Sequence, residues 1–267
     1  METILAVEQV SRVPVKVMSR FKAAGIHFAI SIAIAAAVLV LMLNMWYPQP
    51  YFEAVGGDEL LLLIIGVDVT LGPLITLIIF DIKKKSLKFD LSVIAIIQTA
   101  ALFYGAYAMF QARPVYTVFV KDQFKVVTAN ELEDEQLAKV VRPEFRSLPL
   151  TGPVVVAALE PTDAKERGYV ATGAMFGMDL QFFPQHYHAY GEVQSKVLPH
   201  AQALTAFQKI NPSGLKDIEA VLVQLKKNPQ DVVFLPCIAK QKSMTALLDA
   251  KTGEIIKILP IRPAILQ

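Results

Sequence analysis

The chain has 267 residues, 54% of them hydrophobic, and its 26 Lys and Arg residues nearly balance 24 Asp and Glu residues. This balance excludes the strongly basic surface of a nucleic-acid-binding protein, so no nucleic acid is expected among its partners. The apolar residues are concentrated in about the first 110 positions, which indicates a membrane region followed by a soluble domain.

Three long apolar runs lie in this N-terminal part, at residues 25–43, 60–80 and 91–110. A helix needs about 20 mainly apolar residues to cross a bilayer, so each run predicts one transmembrane helix. The first run could instead be a secretory signal, because basic residues precede it and Ala33-Ile34-Ala35 is similar to a cleavage triplet. That triplet lies inside the run rather than after it, which favours an uncleaved membrane anchor.

The distribution of basic residues predicts the orientation of these helices. Four basic residues precede the first helix and four lie between the second and third: Arg12, Lys16, Arg20, Lys22, Lys83, Lys84, Lys85 and Lys88. The intervening loop, residues 44–59, contains no Lys or Arg. Because Lys and Arg are retained on the cytoplasmic side, residues 1–24 are predicted to be cytoplasmic and residues 112–267 periplasmic in a Gram-negative inner membrane. The loop residues that fit an aromatic belt at the outer face of this membrane are Trp46, Tyr47 and Tyr51.

Residues 112–267 are predicted to form one α+β domain, because strand and helix patterns do not alternate regularly along them. The strand patterns lie at residues 115–120, 124–128, 154–159, 232–238, 245–249 and 254–259. The first two strands predict a hairpin, and the last two predict a turn at Lys251-Thr252-Gly253.

Three helices are predicted in the same domain. Asn130 and Glu133 have the spacing of a capping box, which predicts a helix N-terminus at this point. A second helix is predicted to be capped near Thr162. The third ends before Pro229, and the apolar residues along one of its faces are Leu215, Ile218, Leu222 and Leu225.

The domain contains few residues that could catalyse a reaction or bind a metal ion. His186 and His188 would lie on one side of a strand as a possible metal pair, but two ligands are too few for zinc, which favours ordinary polar histidines. The chain has no glycine-rich phosphate loop and no HExxH, GxSxG or paired-cysteine motif, so no enzymatic activity, cofactor or metal is expected. The single cysteine, Cys237, lies in the apolar sequence VVFLPCIA and is predicted to be a buried hydrophobic residue rather than part of an intermolecular disulfide.

Asp68 stands out in the second apolar run, because a carboxylate at mid-membrane costs about 2.5 kcal/mol or more. Asp68, Gly72 and Thr76 recur every four residues and therefore form one stripe along the second helix. A comparable stripe on the third helix consists of Gln98, Ala101 and Gly105. In antiparallel helices that rise about 1.5 Å per residue, Gln98 reaches the depth of Gly72, and Ala101 that of Asp68.

Small residues beside polar ones allow membrane helices to approach closely and to satisfy each other's hydrogen bonds. Ala29, Ala33 and Ala37 provide a similar small seam on the first helix. Pro73 cannot donate a hydrogen bond to the Val69 carbonyl, which predicts a kink and a free carbonyl near Asp68.

The block of residues 46–127 resembles the bacterial type IV pilin accessory proteins, inner-membrane proteins encoded beside certain major pilins. The segments that carry the resemblance are WYPQPY, GVDVTLGPL, KKSLKFD and ARPV. The resemblance implies an accessory role in pilus biogenesis, with a major pilin as the partner, and it brings no catalytic residues with it. A membrane-anchored periplasmic sensor or binding protein and a small proton-coupled transport component remain alternatives.

Two interpretations of Asp68 follow from the implied partner. In the structural one, the Asp68 side chain is protonated or hydrogen-bonded and is held by Gln98 and the free Val69 carbonyl. In the functional one, Asp68 is the counter-ion for the positively charged amine of a pilin's apolar N-terminal helix. The partner-binding site is then predicted to consist of Asp68, Gly72, Thr76, Gln98, Ala101 and Gly105.

Overall fold

The computed structural model describes residues 18–263 and begins with three long helices and one short helix. Their bounds are α1 Arg20–Met45, α2 Tyr51–Ala54, α3 Gly57–Ile79 and α4 Leu87–Gln111. Helices α1, α3 and α4 are each long and apolar enough to cross a membrane, which confirms the three predicted spans. Arg12 and Lys16, two residues of the predicted orientation signal, lie outside the described residues.

Each long helix begins before the apolar run that predicts it, because a segment that contains polar residues adds about a turn at its N-terminal end. Helix α1, for example, begins at Arg20, where the Ser19 hydroxyl caps the helix by accepting a hydrogen bond from Lys22 N at 3.2 Å. Helix α3 lies in the middle and packs against both α1 and α4. It approaches α4 closely because Gly105 has no side chain: a Cβ atom there would lie 2.8 Å from Cγ1 of Ile64.

A mixed sheet with surrounding helices follows α4, which confirms the predicted fold class. The strands are β1 Pro114–Val120, β2 Gln123–Thr128, β3 Val154–Ala158, β4 Tyr187–Ala189, β5 Gln202–Ala203, β6 Val232–Ile238, β7 Ser243–Asp249 and β8 Ile255–Leu259. The helices are α5 Asp134–Ala138, α6 Ala164–Met175, α7 Tyr190–Val197, α8 Leu204–Ile210 and α9 Pro212–Gln224. The strand order is β4-β3-β1-β2-β6-β7-β8, and β5 also pairs with β6.

Parallel and antiparallel pairs are combined in this sheet. Strands β1 and β2 form the predicted antiparallel hairpin, while β3 lies parallel to β1 and β6 lies parallel to β2. Strands β6, β7 and β8 form an antiparallel meander, in which Gly253 takes a positive φ of 74° at the predicted turn. Cys237 lies on β6 and is fully buried and free, as predicted, and burial raises the pKa of its thiol to about 12.

Of two predicted helix ends, one differs from its prediction and one agrees with it. The predicted capping box at Asn130 is wrong: Thr128 is the capping residue, because the Glu131 carboxylate accepts hydrogen bonds from its main-chain N and its hydroxyl, each at 2.8 Å. Helix α9 ends at Gln224, before Pro229 as predicted, and Lys226 takes a positive φ of 54° just beyond the helix end.

The loop between α1 and α3 is built into the core of the domain, so the predicted aromatic belt is wrong for two of its three residues. Tyr47 is fully buried, and its hydroxyl donates a 2.7 Å hydrogen bond to the Met109 carbonyl of α4. Tyr51 is also buried, and its hydroxyl accepts a 3.0 Å hydrogen bond from the Thr117 hydroxyl on β1. Trp46 is half-buried, and its ring packs edge-on against that of Phe110 at a centroid distance of 5.1 Å.

Main-chain hydrogen bonds join the same loop to the far end of the chain. The Ala54 carbonyl accepts hydrogen bonds from the main-chain N of Gln241 at 2.9 Å and of Lys242 at 3.2 Å. Lys242 also forms a 2.7 Å ion pair with Glu53. The first loop and the sheet domain therefore lie on the same side of the membrane helices and pack as one unit.

Candidate functional site

A cluster of polar side chains lies where the three membrane helices meet. Asp68, Gly72 and Thr76 lie on the face of α3 that meets the other two helices, and Gln98 reaches them from α4. His27 reaches them from α1. The sequence therefore predicted the α3 and α4 residues of this cluster, but not the α1 residue.

Gly72 provides the space in which the three helices meet. A Cβ atom at this position would overlap the Gln98 amide and would lie 3.0 Å from Nε2 of His27. Below it, the Thr76 hydroxyl lies 2.6 Å from Nδ1 of His27. Side chains from α1 and α4 thus meet next to the backbone of α3 at Gly72. Gln98 lies at the depth of Gly72, as predicted.

The carboxylate of Asp68 is not held as the structural interpretation expects. Gln98 Nε2 donates a 3.3 Å hydrogen bond to the main-chain carbonyl of Asp68 and not to its side chain. Oδ1 of Asp68 is buried and has no hydrogen-bond partner among the described residues. A buried polar atom without a partner is uncommon in folded proteins and marks a position where a ligand, an ion or water can bind.

A cavity of about 180 Å³ lies beside this carboxylate, between α1, α3 and α4. Polar residues line part of it, namely His27, Ser31, Asp68, Gln98 and Thr99. The rest of the lining is apolar and includes Ile34, Val38, Ile64 and Leu102. A water molecule needs at least about 10–15 Å³ and two to four polar partners, so the cavity can hold water or a small polar group of a partner next to Asp68.

The other small residues of the predicted site have different surroundings. The Ile64 side chain fills the space beside Gly105, whereas Ala101 is exposed on α4. The predicted small seam of α1 does not contact the other two helices. Its residues, Ala29, Ala33 and Ala37, are exposed on the surface of α1. The contact face of α1 instead contains His27 and Ser31, and their spacing of four residues inside an apolar run was the available sequence signal.

His186 and His188, two of the three histidines of the domain, take part in separate polar contacts. Nε2 of His186 lies 3.4 Å from the Glu166 carboxylate, and Nδ1 of His188 lies 3.4 Å from the Arg142 guanidinium. Burial lowers the pKa of both imidazoles, which leaves them neutral at pH 7. No group of three or more potential metal ligands occurs within residues 18–263.

Comparisons with known proteins point to one family. Residues 15–56 match the family model described as FimB, fimbrial assembly protein FimB. The chain is 33% identical over 223 residues to the fimbrial assembly protein of serogroup I of Dichelobacter nodosus, a match that covers 82% of this chain and 86% of that protein. The fimbrial assembly protein of serogroup E1 matches to the same extent, and that of serogroups C1 and C2 is 38% identical over 118 residues, or 43% of this chain and 90% of that protein. No solved structure matches the chain.

Proposed function

The chain belongs to the family of fimbrial assembly proteins, and from this membership we propose that it is an accessory factor for type IV pilus biogenesis. Its role is to assist the assembly or surface display of a cognate major pilin through protein contacts. The observation that carries this proposal is the 33% identity over 82% of the chain to a protein named for fimbrial assembly. The resemblance of residues 46–127 to pilin accessory proteins agrees with it.

The hydrogen-bonded connection between the membrane helices and the domain supports a role in protein contacts. Tyr47 and Tyr51 join the first loop to α4 and β1. A single partner that binds both the domain and the helices would therefore contact two surfaces that are held at a fixed spacing. A pilin that waits in the membrane before assembly offers both parts, an apolar helix and an external domain.

Within the membrane, Asp68 is the proposed point of contact with the pilin. Gly72, Thr76 and Gln98 already contact residues of this chain, so a partner helix reaches the carboxylate through the cavity rather than along the Gly72 stripe. The free Oδ1 atom of Asp68 is a suitable acceptor for a protonated amine. Ala101, which is exposed on α4, belongs to the surface along which such a helix would approach.

The test of this function is a deletion strain that retains its own pilin gene. We expect surface pili, measured as sheared surface pilin, to decrease while total pilin is still synthesised, because the protein assists pilin and does not make it. The control is the same strain complemented with the intact gene. Equal amounts of surface pilin in the deletion strain and its parent would exclude a role in pilus assembly.

The proposed location is the inner membrane, with the N-terminus in the cytoplasm and the domain in the periplasm. Lys83, Lys84 and Lys85 between α3 and α4, together with Lys88 in the first turn of α4, support this orientation. Alkaline phosphatase fused after Gln111 is expected to be active, whereas the same enzyme fused after Lys85 is expected to be inactive. The reverse pattern would mean that the helices cross the membrane in the opposite direction.

A further inference from the structure

The segment between α5 and β3 ends in an apolar loop, residues 148–154, which lies across the ends of two membrane helices. Gly152 N donates a 2.9 Å hydrogen bond to the carbonyl of Met45, the last residue of α1. The Pro149 carbonyl accepts a 3.1 Å hydrogen bond from Nε of Arg113, two residues beyond the end of α4. We refer to this segment as the 148–154 loop.

These two anchors determine the depth of the loop relative to the membrane. Arg113 is buried against the end of α4, where its guanidinium lies 3.7 Å from the centre of the Phe110 ring and donates a 2.6 Å hydrogen bond to the Phe110 carbonyl. The apolar parts of α1 and α4 end close to Met45 and Phe110, and a spanning helix reaches the headgroup region where its apolar part ends, so these anchors place the 148–154 loop beside that region. Tryptophan and tyrosine are enriched at this level, and Trp46 directly follows the last residue of α1.

The loop presents apolar side chains at this level. Leu150 is 66% exposed and Val154 is 44% exposed, and the sequence LPLTGPV of the loop contains no charged residue. The positive charge of Arg113, which contacts the loop at Pro149, is turned inward toward Phe110. A soluble surface would expose these side chains to water, whereas a bilayer surface buries them in the boundary between headgroups and acyl chains.

We propose that the 148–154 loop is a membrane-contacting surface whose partner is the phospholipid bilayer, with Leu150 immersed at the level of the glycerol and upper acyl groups. Contact at this point, beside the two helices, holds the membrane-near end of the sheet against the lipid. The domain then has a fixed orientation relative to the bilayer surface, independently of any protein partner.

The opposite end of the domain offers a matched control at Val223, which is 77% exposed on the last turn of α9. That end is close to Lys227, which pairs with Asp249 at the end of β7 at 3.6 Å. Strand β7 begins at Ser243, next to the residues that contact the first loop, and its seven residues span about 20 Å away from the membrane. Val223 and Leu150 are therefore similarly exposed apolar residues at different distances from the bilayer.

The experiment uses the full chain in phospholipid vesicles without pilin, with a nitroxide spin label on Leu150→Cys or on Val223→Cys. Native Cys237 is fully buried, and its raised pKa keeps the thiol unreactive, so labelling is directed to the new cysteine. We expect the label at position 150 to collide more often with lipid-soluble oxygen than with a water-soluble nickel complex. We expect the opposite preference at position 223.

Equal preference for the nickel complex at both positions would overturn the proposal, because the loop would then face water. A third label at Val154→Cys is expected to give an intermediate oxygen preference, since Val154 is less exposed than Leu150. A preference at position 154 as aqueous as that at position 223 would restrict the contact to Leu150 alone. Because no pilin is present, none of these outcomes depends on the proposed role in pilus biogenesis.

Discussion

Replacement of Gly72 by leucine is expected to prevent the three membrane helices from packing and to remove most of the folded protein from the membrane. Even a Cβ atom at position 72 overlaps the Gln98 amide and approaches His27 Nε2 to 3.0 Å. Leucine adds three more carbon atoms at a point where α1 and α4 already meet. Overpacking of this kind costs about 1–3 kcal/mol or more, and the displaced Gln98 also loses its hydrogen bond to the Asp68 carbonyl.

The measurement is the amount of full-length protein in detergent-solubilised membranes and its thermal unfolding temperature. Gly66→Leu is the matched control, because Gly66 lies on the same helix and a Cβ atom added there would meet no neighbouring side chain within 4 Å. That side chain would extend into lipid, so Gly66→Leu is expected to leave both quantities unchanged. A Gly72→Leu protein as abundant and as stable as Gly66→Leu would show that the helices do not meet at Gly72.

The parts of the fold that depend on local sequence could be predicted, and the parts that depend on distant contacts could not. The three spans follow from the length of their apolar runs, and the β1–β2 hairpin follows from two β-rich segments around Lys121-Asp122-Gln123. Neither signal requires knowledge of the rest of the chain. The pairing of β2 with β6, by contrast, joins residues more than a hundred positions apart, and no local pattern specifies it.

The aromatic residues of the first loop could not be placed correctly from composition alone. An aromatic side chain next to a membrane helix suits both the lipid boundary and a protein core, because its ring is apolar and its hydroxyl can find a partner in either place. Tyr47 and Tyr51 belong to the core because Met109 and Thr117 offer partners for their hydroxyls. Those partners lie more than sixty residues away and become neighbours only when the domain folds onto the helices.

The sequence predicted the depth of the polar residues of α3 and α4, but not which face of α1 contacts them. A spacing of four residues placed Asp68, Gly72 and Thr76 on one stripe, and the antiparallel arrangement placed Gln98 beside Gly72. The face of α1 that meets this stripe depends on how α1 packs against α3, and the alanine spacing indicated the wrong face. His27 lies on the correct face, and its Nδ1 atom is 2.6 Å from the Thr76 hydroxyl.

Replacement of Asp68 by asparagine is expected to reduce surface pili and pilin crosslinking while the protein still accumulates in the membrane. Asparagine keeps the size and hydrogen-bonding capacity of the side chain but removes its charge, and Oδ1 of Asp68 makes no hydrogen bond among the described residues that the fold would lose. If the carboxylate pairs with the amine of a pilin helix, the loss of about 1.4 kcal/mol of attraction lowers the fraction of bound pilin about tenfold at low occupancy. The readouts are pilin crosslinked in native membranes and sheared surface pilin, each normalised to the amount of this protein.

Two further variants separate the charge of Asp68 from the shape of the cavity. Thr99→Val changes another cavity-lining residue without altering charge, so both readouts should stay at the parental level. Asp68→Glu retains the carboxylate and should keep more pilin bound than Asp68→Asn, although its longer side chain has to fit the same cavity. If Asp68→Asn accumulates normally and leaves crosslinking and surface pili unchanged, Asp68 does not pair with the pilin amine. If Asp68→Asn fails to accumulate, the carboxylate of Asp68 stabilises the helix bundle itself. Replacement of the nearby His27 imidazole should then also reduce accumulation.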